Sequence, residues 1–441
     1  MKIKRKESSA IINALNAGVV PRIGLHHILV GRDQEVQSFL KDLKEVEEGS
    51  SKVKFWIGNY GSGKSFMLHL MRNVALEKNF VVADMDFSPE KRLSSSGKRA
   101  VATYTELMNN LSIKTKQDNA LVTILDKWIN QIIMKTSQKY GFSPTELDNL
   151  ENQKIIKNTI METLNQLSDV GGFDFGVVIS KYFDGYINND DFKTKSALKW
   201  LRGEYATKTE AREDLGVRKI IDSDNYYDML KNFSDFVIQI GYSGLMLNFD
   251  EAVNLFKITH TQSRERNYEK ILTIFNDCLQ GKSSHLHINF AGTKEFLEDE
   301  RRGLYSYNAL KTRLQTNPFE NKESRDFSQP VIKLAPLDHN EIFVLLQKLL
   351  QIFNSHHKSN IDLTQEEIKN FMEDIYNRPG ANELLTPRDV IRDFLHALNI
   401  IRQNPEYNRN TIFSKVAQDQ DEDEVEDNDD NIEDRFTVEE F

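Results

Sequence analysis

Eight consecutive residues, Gly58-Asn59-Tyr60-Gly61-Ser62-Gly63-Lys64-Ser65, place three glycines ahead of an amine and a hydroxyl. Glycines let backbone N–H groups turn toward an anion with no Cβ in the way. Phe66 then continues into an apolar-periodic helix, and a helix N-terminus favours negative charge. The spacing G-x-x-x-x-G-K-[ST] is that of a loop cradling nucleotide phosphates. In that chemistry Lys64 reaches the β- and γ-phosphates, and the Ser65 hydroxyl is a ligand for Mg²⁺.

A second pair lies far downstream. Leu245-Met-Leu-Asn-Phe249 is an apolar strand that ends in Asp250-Glu251. A carboxylate at a strand's C-terminal end faces the crevice where α/β proteins bind nucleotides. Asp250 is positioned to hold Mg²⁺, directly or through water, and Glu251 to polarise an attacking water as general base. The two motifs together predict an ATPase that uses ATP and Mg²⁺. The glutamate beside the aspartate points to hydrolysis rather than binding alone.

The elements around these residues predict an α/β fold. Val53-Lys-Phe-Trp-Ile57 is a strand before the loop, a helix follows, and Phe80 to Met85 is the next strand, a parallel βαβ unit. Further strands are expected at Leu286 to Ala291 and Val331 to Ala335. Helical spacing fills most of the stretch between Met85 and Leu245, notably Leu121, Ile124, Leu125, Trp128 and Ile132. It is interrupted by a turn-rich break at Val170-Gly-Gly-Phe-Asp-Phe-Gly176. The chain divides into an N-terminal linker (1–27), an ATPase core (28–335) with a large α-helical insertion at about 98–240, an α-helical C-terminal domain (336–412) and an acidic tail (413–441) expected to be disordered.

Composition narrows the class. Hydrophobic residues make up 39% and charged residues 28%, as in soluble globular proteins. No apolar run approaches the ~20 residues that cross a bilayer, so no membrane is expected. Cys278 is the only cysteine, which excludes an intramolecular disulfide and fits a reducing cytoplasm; its apolar helical setting reads as core packing. The net charge of −10 is concentrated: residues 419–441 carry −12, leaving the rest near neutral. The global charge is therefore no argument against DNA binding.

Two resemblances go beyond these readings. Val30-Gly31-Arg32-Asp33-Gln-Glu35 resembles the opening of origin-recognition-like and STAND-like AAA+ ATPases, in which this segment packs beside the adenine. Ala291-Gly292-Thr293 resembles their sensor 1 position, a polar group near the γ-phosphate. Pro336-Leu-Asp-His-Asn-Glu resembles the entry to their helical lid. Leu385-Thr-Pro-Arg388 resembles the lid helix that presents an arginine, sensor 2, to the nucleotide. The closer resemblance is to BrxD-like ATP-binding proteins of BREX and related phage-defence islands. It rests on Gly58 to Ser65, Trp200-Leu-Arg-Gly-Glu204, Gly241 to Glu251 and Arg301-Arg-Gly-Leu-Tyr-Ser-Tyr-Asn-Ala-Leu310, and covers residues from about 10 to 400.

The resemblance implies an AAA+-type P-loop sheet with a lid. It also implies an antiviral defence setting, a homo-oligomer or hetero-complex, and a helicase or other DNA-acting partner. Arg32 would contact the nucleotide. Thr293 would be sensor 1, with a helix N-cap as the alternative, and Arg388 sensor 2, with Arg392 as its rival. Arg313 is the first candidate for an arginine finger, with Arg301 and Arg302 as rivals. Lys193, Lys195, Lys199, Arg202, Lys208, Arg212, Arg218 and Lys219, interleaved with Trp200 and Tyr205, read either as a DNA-binding stretch or as a charged solvated face. Function then has two readings: a motor, loader or switch for a DNA-acting defence complex, or a STAND-like nucleotide-gated switch or scaffold with no DNA-coupled turnover.

Overall fold

The computed structural model describes residues 3–95, 97–165, 172–320, 324–378 and 386–406. The chain forms two units, Val20–Leu337 and Met1–Val19 with Asp338–Phe441. The acidic tail lies outside the described residues, as do Val170 and Gly171 of the expected break.

The larger unit is built on a parallel sheet of β1 (Ser51–Ile57), β2 (Val81–Asp86), β3 (Leu245–Asp250), β4 (Leu286–Gly292) and β5 (Val331–Lys333), in the order β2-β3-β4-β1-β5. β3 and β4 are buried almost end to end, as strands of a parallel sheet covered on both faces are, although His287, Asn289 and Asn248 place polar side chains on one face. The register sets Asp86 opposite Asp250 and Ile57 opposite Gly292. The strands' C-terminal ends therefore share one edge, where α/β sheets bind ligands.

The two faces of the sheet differ. On one, the rings of Phe55 and Phe290 stack with centroids 5.2 Å apart, Phe249 and Phe290 at 5.0 Å, and Phe87 and Phe249 at 5.4 Å. This face shares its core with the insertion, through Trp128, Phe175, Phe183, Phe233 and Phe236. The other face carries a polar row. Trp56 Nε1 donates to Asn289 (2.9 Å), Asn289 Nδ2 to Asn248 (2.9 Å), and Asn248 Nδ2 to Asp84 (2.7 Å). Arg72, on the phosphate-loop helix Lys64–Glu77, closes the row on Asp84 at 2.6 Å. Every side chain in it has a partner, as buried polar groups require.

Between β2 and β3 the described residues form seven helices, from Arg99–Asn109 to Tyr226–Gln239. The expected break is only partly one: Gly172–Asn188 is a helix. Asp174 anchors it by accepting the N–H groups of Arg218 and Lys219, and Gly176 allows a close approach to Met161, whose Sδ would lie 3.1 Å from an added Cβ. Gly176 serves helix packing rather than a turn. Cys278 is buried, and burial pushes its thiol up to about 11.

The smaller unit is helical. His339–His357 starts from a capping box of Asp338 and Glu341, which satisfies N-terminal N–H groups reciprocally. Pro387–Gln403 starts the same way from Thr386 and Asp389, with Pro387 in the first turn. Phe353, Phe371, Phe394 and Leu398 are fully buried in this unit. Residues 1–27, read from sequence as a linker, hold the helix Arg5–Asn16, which packs on both His339–His357 and Pro387–Gln403 and buries Ile11 and Ile12.

Candidate functional site

The residues Gly58–Gly63 bridge β1 and the helix that starts at Lys64. Gly61 and Gly63 have φ of 76° and 89°, values at which a side chain is strained. Gly58 is needed for space: an added Cβ would stand 2.3 Å from Ser62 Oγ and 3.1 Å from the Leu334 carbonyl oxygen. Gly58→Ala must therefore displace the buried Ser62 side chain and crowd the Leu334 carbonyl. Overpacking of this kind costs about 1–3 kcal/mol, so ATP affinity is expected to fall about tenfold or more. Equilibrium binding of ATP to wild type and variant checks this; equal affinities would show that the loop can re-form around the methyl group.

The cationic and hydroxyl groups of the loop make defined contacts. Lys64 Nζ donates to the carbonyls of Gly58 (3.0 Å) and Asn59 (2.8 Å) and lies 5.5 Å from the Tyr60 ring centroid. Asn59 and Tyr60 are exposed, Phe66 is half-buried, and Ser62 is buried. Ser65 Oγ donates to Asp250 Oδ2 at 2.7 Å, so two motifs separated by most of the core meet directly. A hydroxyl and a carboxylate side by side are hard oxygen donors, the set that Mg²⁺ takes beside phosphates. The residues present fit that ion.

Glu251 follows in an unusual backbone. Its φ is 54°, a left-handed conformation rare outside glycine and concentrated at functional positions. The Glu251 N–H donates to Asp250 Oδ1 at 2.8 Å, and the next N–H, of Ala252, donates to the Ala291 carbonyl at 3.0 Å. The Glu251 side chain is exposed at the strand edge.

Asp86 is the carboxylate that sequence reading missed. It ends β2 opposite Asp250, and the Phe87 N–H donates to the Asp250 carbonyl at 3.0 Å. Desolvation at the strand tips and the neighbouring Asp250 and Glu251 carboxylates push its pKa up. The available signal was the alternation Asp84-Met-Asp86 at a strand end, on the face that carries Asn248 and Asp250. His69, one turn beyond Ser65, is held below the usual histidine range by burial, with Asp84 and Asp250 pulling the other way.

The remaining candidates are spread more widely. Thr293 is 2% exposed, follows β4 on the same edge, and caps the helix Lys294–Glu298 by accepting the Phe296 N–H at 3.4 Å. Its hydroxyl, the leading cause, also helps hold the Glu295 carboxyl low, with Lys64 a lesser contributor. Arg32 Nη2 donates to the carbonyls of Ser62 (3.2 Å) and Ala335 (2.6 Å). Those bonds seat the guanidinium against the backbone of the loop. Arg313 is exposed on Asn308–Leu314 and donates to Asn276 and Ala309; the structure does not bring it to Ser65 and Asp250. Arg302 donates to the Phe256 carbonyl, and Arg301 follows the Asp299 turn. Arg388 belongs to the helical unit, where its aliphatic stem lies alongside Gly18.

Three of the eight basic residues in the insertion's stretch are paired from within. Lys193 pairs with Asp190, Lys195 with Asp191 and Lys199 with Glu210. Trp200 and Tyr205 are 2% and 5% exposed, with Trp200 Nε1 donating to the Lys219 carbonyl and Tyr205 OH to Asp214. Their rings are core, not a stacking platform.

Comparison with known families adds the deciding observation: residues 3–417 match the model for the BREX system ATP-binding protein BrxC/D. The chain belongs to this family. The match spans nearly the whole sequence, including both described units, and agrees with the resemblance seen at the phosphate loop and at Gly241 to Glu251. A search of curated proteins gave no match. Membership in the family makes this an ATP-binding protein of a phage-defence system. Among the described residues no helix is long and apolar enough to cross a membrane.

Proposed function

We propose that the protein hydrolyses ATP as an AAA+-type ATPase and acts as a motor, loader or switch for a DNA-acting complex in phage defence. The observation that carries this is the 2.7 Å bond from Ser65 to Asp250, with Glu251 next in sequence at the same sheet edge. Lys64 and the loop N–H groups hold the phosphates. Ser65 and Asp250 hold Mg²⁺, which supplies charge neutralisation on the phosphate oxygens when bound. Glu251 orients the attacking water and takes its proton. Thr293, which follows β4 on the same edge, acts as sensor 1, on the strength of the resemblance. Arg388 acts as sensor 2 and Arg313 as a finger toward a neighbouring subunit, both on the strength of resemblance. The strand order β2-β3-β4-β1-β5 supports the AAA+ reading of the core, and the capped helices after Asp338 support the lid reading.

A second reading, a STAND-like switch or scaffold without DNA-coupled turnover, is favoured by one observation. Trp200 and Tyr205 of the basic stretch are buried, and three of its eight basic residues pair with acidic neighbours. ATPase assays of the full chain with and without DNA separate the two. Turnover that DNA stimulates supports the first reading. Turnover indifferent to DNA transfers support to the second, and no turnover under either condition overturns the ATPase assignment.

A further inference from the structure

Arg325 stands about 260 residues downstream of the phosphate loop in sequence, yet two side chains connect it to that loop. Arg325 Nη1 donates to Glu35 Oε1 at 2.7 Å. The same Glu35 oxygen lies 3.6 Å from Arg32 Nη1. Arg32 Nη2 in turn donates to the Ser62 carbonyl, inside the loop. The Glu35 and Arg32 side chains are 2% and 6% exposed and Arg325 is 24% exposed. A buried carboxylate between two guanidiniums fixes both, because losing either partner leaves charge poorly compensated in a low-dielectric site.

The far end of this relay is itself anchored. Arg325 Nη2 donates to the Lys333 carbonyl on β5 at 2.7 Å, and its guanidinium lies 4.5 Å from the Phe327 ring centroid. The Lys54 amine, 4% exposed, donates to the carbonyls of Phe327 (2.8 Å) and Gln329 (2.9 Å). Asp326 accepts from Asn317, Ser328 and Gln329, and these bonds hold its carboxyl well below the usual range. The segment carrying Arg325 is thus pinned to the core at both backbone and side chain.

We propose that Arg325 is a positioning residue for ATP binding, acting through Glu35 and Arg32 to set the Ser62 carbonyl and hence the geometry of the phosphate loop. It touches no phosphate itself. The proposal rests on the nucleotide reading of Gly58–Ser65, and goes beyond it by assigning loop geometry to a side chain outside every motif of that reading.

The test is ATP affinity and turnover in the full chain for wild type, Arg325→Ala, Arg325→Lys, Glu35→Gln and the Ala/Gln double variant, with Phe319→Ala as a control on an 86%-exposed side chain in the same connection. Coupling between contacting charged residues predicts about five- to tenfold weaker ATP binding for Arg325→Ala. Arg325→Lys should recover most of the loss, and the double variant should be no weaker than the worse single one. A purely structural role would instead lower the thermal midpoint without nucleotide and leave ATP affinity and the KM-to-kcat balance unmoved. Unchanged affinity in Arg325→Ala, or losses that add in the double variant, overturns the proposal. Failure of the wild type to bind ATP overturns the nucleotide reading instead.

Discussion

Glu251→Gln is expected to slow ATP hydrolysis by about 10²–10⁴-fold, the range for a positioned general base, with ATP affinity within a few-fold of wild type. The amide matches the carboxylate in size but cannot take a proton from water. It should tolerate the same backbone: the φ of 54° is imposed from outside the side chain, by the Glu251 N–H bond to Asp250 and the Ala252 N–H bond to Ala291. The phosphate-binding groups, Lys64 and the loop N–H donors, lie on another strand's end and are not altered. The paired measurement is steady-state phosphate release and equilibrium ATP binding on the same preparation. Turnover retained to within tenfold would assign the proton to another carboxylate, and Asp86, opposite Asp250 at the end of β2, is the one placed to receive it.

The second large effect concerns stability. Arg72→Ala is expected to destabilise the Val20–Leu337 unit by about 3–5 kcal/mol, as does breaking a buried ion pair from one side. Arg72 is 4% exposed and donates to Asp84 (2.6 Å), the Gln117 side chain (2.7 Å), Ser112 (2.7 Å) and the Gln117 carbonyl (2.6 Å). Its removal leaves Asp84 with only the Asn248 amide, and the row to Asn289 and Trp56 loses its cationic end. Such a loss is a large fraction of a typical domain's total stability. Arg72→Lys keeps the charge but not the fork of donors, so its effect should be smaller. All three tryptophans, Trp56, Trp128 and Trp200, belong to this unit, so the midpoint of denaturant unfolding followed by tryptophan fluorescence reads it selectively. An unmoved midpoint for Arg72→Ala would mean that the polar row adds nothing to stability.

What was legible in the sequence was legible for local reasons. The strands stood out because a parallel sheet covered on both faces needs mostly apolar runs, as at Val53–Ile57 and Leu245–Phe249, where Lys54 and Asn248 are the polar exceptions. The phosphate loop stood out because its glycines answer to backbone geometry within a few residues. Glu35 with Arg325, Asp86 with Asp250 and Arg72 with Asp84 and Gln117 were hidden. Each is set by strand order and register, which no local pattern encodes. Interleaved aromatics and bases, Trp200 and Tyr205 among lysines and arginines, looked like a surface in sequence. Periodicity alone did not show that the rings point inward while the Lys193, Lys195 and Lys199 amines pair with acidic neighbours. The helix Arg5–Asn16 was missed because its apolar face is short, and its partners come from the other end of the chain.

That last arrangement has a consequence for how the protein is made. The helix Arg5–Asn16 packs on helices that begin at His339 and Pro387, so the smaller unit is a host whose chain is interrupted by the whole of the larger one. During synthesis, which proceeds from the N-terminus and lets domains fold as they emerge, the helix Arg5–Asn16 leaves the ribosome with Ile11 and Ile12 uncovered and must wait for partners made after the larger unit. The larger unit, being contiguous, can fold meanwhile. Its folding shortens the loop that the host must close from a long flexible tether to a compact body with fixed ends, which lowers the entropic cost of closure. Folding of the larger unit thus precedes, and prepares, completion of the helical unit.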